Sequence, residues 1–286
     1  MTNRRKIRLK LAMVLAIGCL SLPGEAQTLL TPSWLRWVGD GSGANYVCSS
    51  GTCSLTDEIW FKSFTLSPGA TLVNNGGNGP LIIRATGACT IEGTVSGSSN
   101  SGAGVTITGN GDFGGGGGGG GGGTKAGING KTTVVVEGIP IVNGGFGGSA
   151  GGGNGQSGVS TAQGQYRMFL SGGSPWPGGG AMGGAGGSGG GAAGYGGTPV
   201  IFICNTIDFT GTIDVSGGNG GNATASNTGA GGGGGAGYVV LAAVSYTANT
   251  GTINTSGGIG GSCNGNTNCG TGGNGGNGWS FSFTIQ

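Results

Sequence analysis

In several of the glycine-dominated stretches of this chain side chains recur at every third position, and that spacing restricts the backbone more than any other feature. After Asn143, Ser216 and Ser256 runs a Gly-Gly-x-Gly-Gly-x tract. Its third positions are Asn143, Phe146, Ser149; Ser216, Asn219, Asn222; and Ser256, Ile259, Ser262. An α-helix repeats at about 3.6 residues and a β-strand at about 2. A period of three belongs to the left-handed polyproline-II helix, which rises about 3.1 Å per residue and makes no internal hydrogen bonds. Its N–H and C=O groups must therefore be taken by neighbouring segments. The spacing predicts glycine helices lying side by side.

Other glycine-rich textures fit less well. Collagen needs strict Gly-X-Y with abundant proline, whereas here the 79 glycines fall in pairs and runs beside only 8 prolines. A flexible linker has no reason to keep a period or to alternate with apolar runs. Four such runs oppose disorder and predict strands with a core: Leu81 to Ile83, Val134 to Val136, Val200 to Ile203 and Val239 to Leu241.

Residues 1–26 read as a secretory signal peptide. Arg4, Arg5, Lys6, Arg8 and Lys10 form a basic region, Leu11 to Leu22 an apolar one, and Gly24-Glu25-Ala26 a small-x-small cleavage site. The alternative is a lipobox at Ala16-Ile17-Gly18-Cys19, with Cys19 lipidated. Without the leader, six basic side chains stand against eight acidic ones, a formal charge of −2, which removes support for a nucleic-acid partner. No other stretch is long and apolar enough to predict a membrane span. Six cysteines remain, an even number that suits an oxidising compartment. Cys48 with Cys53 and Cys263 with Cys269 each bracket a short turn. Cys89 and Cys204 are left over, each at the edge of an apolar run, and would join different layers of the fold. Loop staples fit these spacings better than zinc, which recruits histidine, and the chain has none. No metal or other cofactor is expected.

Aligned on the residues before the tracts, an internal repeat appears. Gly138-Ile-Pro-Ile-Val-Asn, Gly211-Thr-Ile-Asp-Val-Ser and Gly251-Thr-Ile-Asn-Thr-Ser each run into Gly-Gly-x-Gly-Gly, and a degenerate copy starts at Gly93-Thr94-Val95. Each unit reads as a short strand, an outgoing glycine tract, a loop, a returning tract and another apolar strand. The returning tracts are Gly114 to Gly123, Gly229 to Gly237 and Gly270 to Gly278. In the last, Thr271, Asn274 and Asn277 again fall three apart, as do Met182, Ala185 and Ser188 in a long excursion. The expected fold is all-β: a parallel β-helix-like solenoid with packed polyglycine-II helices in the glycine-rich excursions. Residues 27–90, with Trp34, Trp37 and Trp60, read as a β-region capping one end, and 91–286 as the repeat region. Trp279, Phe281, Phe283 and Ile285 alternate along a final edge strand suited to self-association.

One stretch carries a resemblance. Gly39-Asp40-Gly41-Ser42-Gly43, Ser54 to Phe61, Phe64-Thr65-Leu66 and Pro68-Gly69-Ala70-Thr71-Leu72 are similar to the lead-in of glycine-rich parallel β-helix proteins found among secreted bacterial proteins and phage tail fibres. The glycine tracts resemble the polyglycine-II sandwich of phage tail-tip adhesins. The leader peptide departs from the phage pattern, so the resemblance implies a bacterial secreted or surface protein.

Chemistry has few candidates. Asp57 and Glu58 are adjacent and would face opposite sides of a strand. Glu92, Asp112, Glu137, Asp208 and Asp214 are scattered, with Asp208 and Asp214 read as a solvated surface pair. An enzyme is not expected. The leading expectation is an extracellular structural protein that self-assembles into a layer, fibre or matrix, with itself as partner. An adhesin for a surface glycan or protein is the alternative, binding through excursion residues Tyr166, Arg167, Phe169, Trp176 and Tyr195. Ice binding by a face of small polar side chains is a third, opposed by the mixed sizes of Asn143, Phe146, Met182 and Ile259.

Overall fold

A computed structural model describes residues 38–39, 41–56, 58–75, 80–97, 126–127, 153–155 and 190–285. The leader with Cys19, the 114–123 tract, the 134–136 run and the repeat copy at 138 lie outside them. So do Tyr166, Arg167, Phe169 and Trp176.

The described residues are mostly β with almost no helix, as expected. The strands are β1 (Asn45–Cys48), β2 (Thr52–Leu55), β3 (Glu58–Phe61), β4 (Ser63–Leu66), β5 (Thr71–Asn74), β6 (Leu81–Ile91), β7 (Thr94–Ser96), β8 (Val200–Phe209), β9 (Thr212–Asp214), β10 (Tyr238–Asn249), β11 (Thr252–Asn254) and β12 (Trp279–Thr284). They form two sheets that do not close on each other. The first runs β1-β4-β6-β8-β10-β12, with β3 also on β6, and the second runs β11-β9-β7-β5-β2. Every pairing is parallel. The chain therefore crosses from the first sheet to the second at each level and returns by a longer route. Strands of the 27–90 region pair directly into both sheets.

The Gly-Thr-Ile repeat explains the crossing. Gly93 and Gly211 sit where a side chain would strike the carbonyl of the level below, Ala70 in one case and Gly93 in the other. This corner is thus too tight for a Cβ. The next residue carries the ladder onward: the N–H groups of Thr94, Thr212 and Thr252 donate to Ala70, Gly93 and Gly211, each at 2.9 Å. The third residue points inward, and Leu72, Val95 and Ile213 are fully buried.

The main core lies between the sheets, where Phe64, Leu66, Ile83, Ile91, Phe202, Ile207, Phe209 and Leu241 meet those inward residues. Parallel strands are normally covered on both faces, and the first halves of β6, β8 and β10 in the first sheet follow that rule. On its outer face Ile82, Ile201, Ile203, Tyr238 and Val240 form a second buried cluster.

All three disulfides are formed. Cys48–Cys53 and Cys263–Cys269 staple the short turns they bracket. Cys89–Cys204 does not join different layers as expected: it ties β6 to its neighbour β8 within one sheet, because register sets the two strands side by side, and both side chains are buried in the main core.

Candidate functional site

Among the described residues five glycine-rich tracts form a regular array outside the sheets: 190–198, 215–223, 229–237, 255–262 and 270–278. Backbone hydrogen bonds join them at every third residue. Gly191, Gly194 and Gly197 donate to Gly229, Gly232 and Gly235 at 2.8 to 2.9 Å, and Ala230, Gly233 and Ala236 donate to Gly270, Gly273 and Gly276 at 2.9 to 3.0 Å. Antiparallel contacts use the remaining faces: Gly231, Gly234 and Gly237 donate to Gly221, Gly218 and Val215, all at 2.8 Å. The carbonyls of Gly234 and Gly231 receive Gly258 and Gly261, also at 2.8 Å. The 229–237 tract therefore bonds four others and is buried along its length. Glycine is required, because a Cβ at Gly218's partner Gly258, or at Gly234 or Gly275, would land on a neighbouring backbone carbonyl.

Exposure follows the same period. Asn219 and Asn222, then Ser256, Ile259 and Ser262, then Thr271, Asn274 and Asn277 are exposed, while Gly258, Gly261, Gly273 and Gly276 are buried. The asparagines bend back onto the lattice. Asn219 and Asn222 accept the N–H groups of Ile259 and Ser262, and Asn277 and Asn274 accept those of Gly257 and Gly260, each at 2.8 Å.

A second ordered surface is the outer face of the smaller sheet. Thr52, Thr71, Thr94, Thr212 and Thr252 stand in register across all five strands, forming a column with a spacing of about 4.8 Å. The parallel column two residues on is mixed: Ser54, Val73, Ser96, Asp214 and Asn254. In it Asp214 accepts from the Ser216 N–H and the Asn254 amide. Asp208 and Asp214, expected as a solvated surface pair, lie on β8 of one sheet and β9 of the other, and both are half-buried.

The expected edge residues lie on β12, where Trp279, Phe281 and Phe283 are half-buried on the outer face of the larger sheet. Trp279 stacks on Tyr238 at 5.3 Å and Ile285 is buried. The opposite face of β12 carries exposed Ser280, Ser282 and Thr284. Beside them Tyr246 packs on the end of the core, its hydroxyl donating to the Leu241 carbonyl at 2.6 Å. Burial pushes its phenol up to about 12. Tyr195, expected among excursion residues that bind, lies within the 190–198 tract, where its carbonyl accepts the Gly218 N–H at 2.7 Å.

Sequence reasoning missed Arg84. It is nearly buried on the outer face of the larger sheet, donates from Nε to Glu58 and stacks over Trp60 at 5.0 Å. A single arginine in an apolar run gives no signal of its partners, because strand register decides them. Among the described residues no group of three His, Cys, Asp or Glu side chains is placed to hold a metal ion. None of their helices is long and apolar enough to cross a membrane. The fold thus defines an all-β protein of parallel strands carrying a hydrogen-bonded glycine lattice. No protein-family model, curated protein or solved structure matches the chain.

Proposed function

We propose that this is a secreted, non-catalytic structural protein of the cell exterior, a stiff body whose copies associate into a layer, fibre or matrix. In this reading the sheet crossings are coils of a parallel β-solenoid and the glycine tracts are packed polyglycine-II helices. The observation that carries it is the lattice around the 229–237 tract, bonded to four others at every third residue. A three-residue turn presents its donors in that order. The centre of the lattice is held by backbone bonds, with asparagine side chains joining at its 255–262 side, which suits mechanical service more than chemistry. Three disulfides are compatible with an oxidising exterior. The aromatic row of β12 is the contact between copies.

Sedimentation velocity and negative-stain microscopy of residues 27–286 across a wide concentration range test this reading. Ordered assemblies are expected, and their loss in Phe281→Ser is expected with them. Single non-associating particles at every concentration would remove it.

The threonine column favours a second reading, ice binding. β-Branched side chains are stiff at χ1, and the column's repeat is close to the oxygen repeat of the ice lattice. Thermal hysteresis that disappears in Thr94→Tyr/Thr212→Tyr would support it; none in the unaltered protein would end it.

A further inference from the structure

In the 255–262 tract each N–H group from Gly257 to Ser262 is accounted for. Gly258 and Gly261 donate to the carbonyls of Gly234 and Gly231. The other four, on Gly257, Ile259, Gly260 and Ser262, donate to Asn277, Asn219, Asn274 and Asn222. The contrast with the preceding tract is direct. In 215–223 the N–H groups of Gly217, Gly220 and Ala223 reach across to the carbonyls of Ser256, Ile259 and Ser262, the next outgoing tract. One step further along, the corresponding donors are Gly257 and Gly260. They meet side-chain oxygens of the returning tract where a further glycine helix would present carbonyls. At 270–278 the pattern differs: the Thr271 N–H goes to the Asn154 side chain while the Thr271 carbonyl accepts the Gly155 N–H, so backbone of the same chain still reaches that tract.

We infer that Asn274 and Asn277, backed by Asn219 and Asn222, are a built-in stop to lattice growth. They supply amide oxygens in place of the carbonyls of an added helix, so the 255–262 side of the lattice is closed to a glycine tract from a second copy. The four side chains are exposed, and an exposed asparagine has water as an easy alternative partner. Their common distance of 2.8 Å and threefold spacing mark them as substitutes for a missing strand of backbone. Copies then join through their sheets and not by extending the glycine lattice, which makes that lattice finite. This rests on reading the tracts as packed glycine helices.

The test compares residues 27–286 with the Asn274→Ala/Asn277→Ala variant by amide exchange and sedimentation velocity. Exchange at Gly257 and Gly260 is expected to rise roughly tenfold or more, as for amides losing a hydrogen bond, while Gly258 and Gly261 keep their protection. The variant is expected to form larger species than the unaltered protein at equal concentration. Asn274→Ala alone, which bares only Gly260, serves if the double variant does not fold. Unchanged exchange at the bared glycines would overturn the stop, and so would free exchange with unchanged sedimentation. An unaltered protein that never associates would remove the proposed function. The stop would still stand if the variant gained association.

Discussion

Replacing Gly234 with alanine puts the lattice to its hardest trial. Gly234 donates to the Gly218 carbonyl and accepts from the Gly258 N–H, both at 2.8 Å, and it faces the Tyr195 carbonyl. An added methyl would fall on that oxygen, so the 190–198 and 229–237 tracts must separate. Separation loosens the two nearest bonds between those tracts, Gly194 to Gly232 and Gly197 to Gly235, worth about 0.5 to 1.5 kcal/mol each, and overpacking strain adds about 1 to 3 kcal/mol. A loss of about 3 kcal/mol follows from these terms. Gly265→Ala is the reference. Gly265 has φ +81° and nothing within 4 Å of an added Cβ, so it isolates the left-handed backbone penalty of about 1 to 2 kcal/mol. Guanidinium unfolding followed by tryptophan fluorescence, with disulfides intact, measures both. If Gly234→Ala costs no more than Gly265→Ala, the tracts are not in close backbone contact and the reasoning fails.

Removing the Cys89–Cys204 bond by paired alanine substitution opens a link between residues 115 apart. A loss of about 2 to 5 kcal/mol is expected, read as a lower melting temperature, and an unchanged midpoint would contradict it. Tyr246 gives a pH dependence. Its phenol is raised from 10.0 to about 12 by burial, so the folded state holds the proton more tightly than the unfolded state. Its contribution is complete below about pH 10 and disappears by about pH 12. Tyr46, also raised by burial, acts in the same direction. Tyr246→Phe is expected to flatten the alkaline fall in melting temperature, and an identical profile would refute the assignment.

Much of the architecture was legible because glycine leaves few options. Once side chains recur every third residue, the glycines between them must face other backbones, and the exposed positions Ser256, Ile259, Ser262, Thr271, Asn274 and Asn277 are the predicted ones. The Gly-Thr-Ile units became tight corners for the same reason. What stayed hidden depends on register. Thr52, Thr71, Thr94, Thr212 and Thr252 are irregularly spaced along the chain and become a column only when the strands stack. Arg84 and Glu58 meet because β3 lies on the first half of β6. The asparagines were visible as spacers, but nothing along the chain distinguishes an amide that caps a neighbour's backbone from one that only faces water.

Gly97 leaves the smaller sheet and Thr198 re-enters near the larger one, yet the Thr198 N–H donates to the Gly97 carbonyl at 2.7 Å. The long excursion from 98 to 197 thus starts and finishes at a single point, with the Cys89–Cys204 bond close by in sequence on both sides. A tag inserted ahead of Gly190 would leave in place both that closure and the bonds by which Gly191, Gly194 and Gly197 hold the glycine lattice.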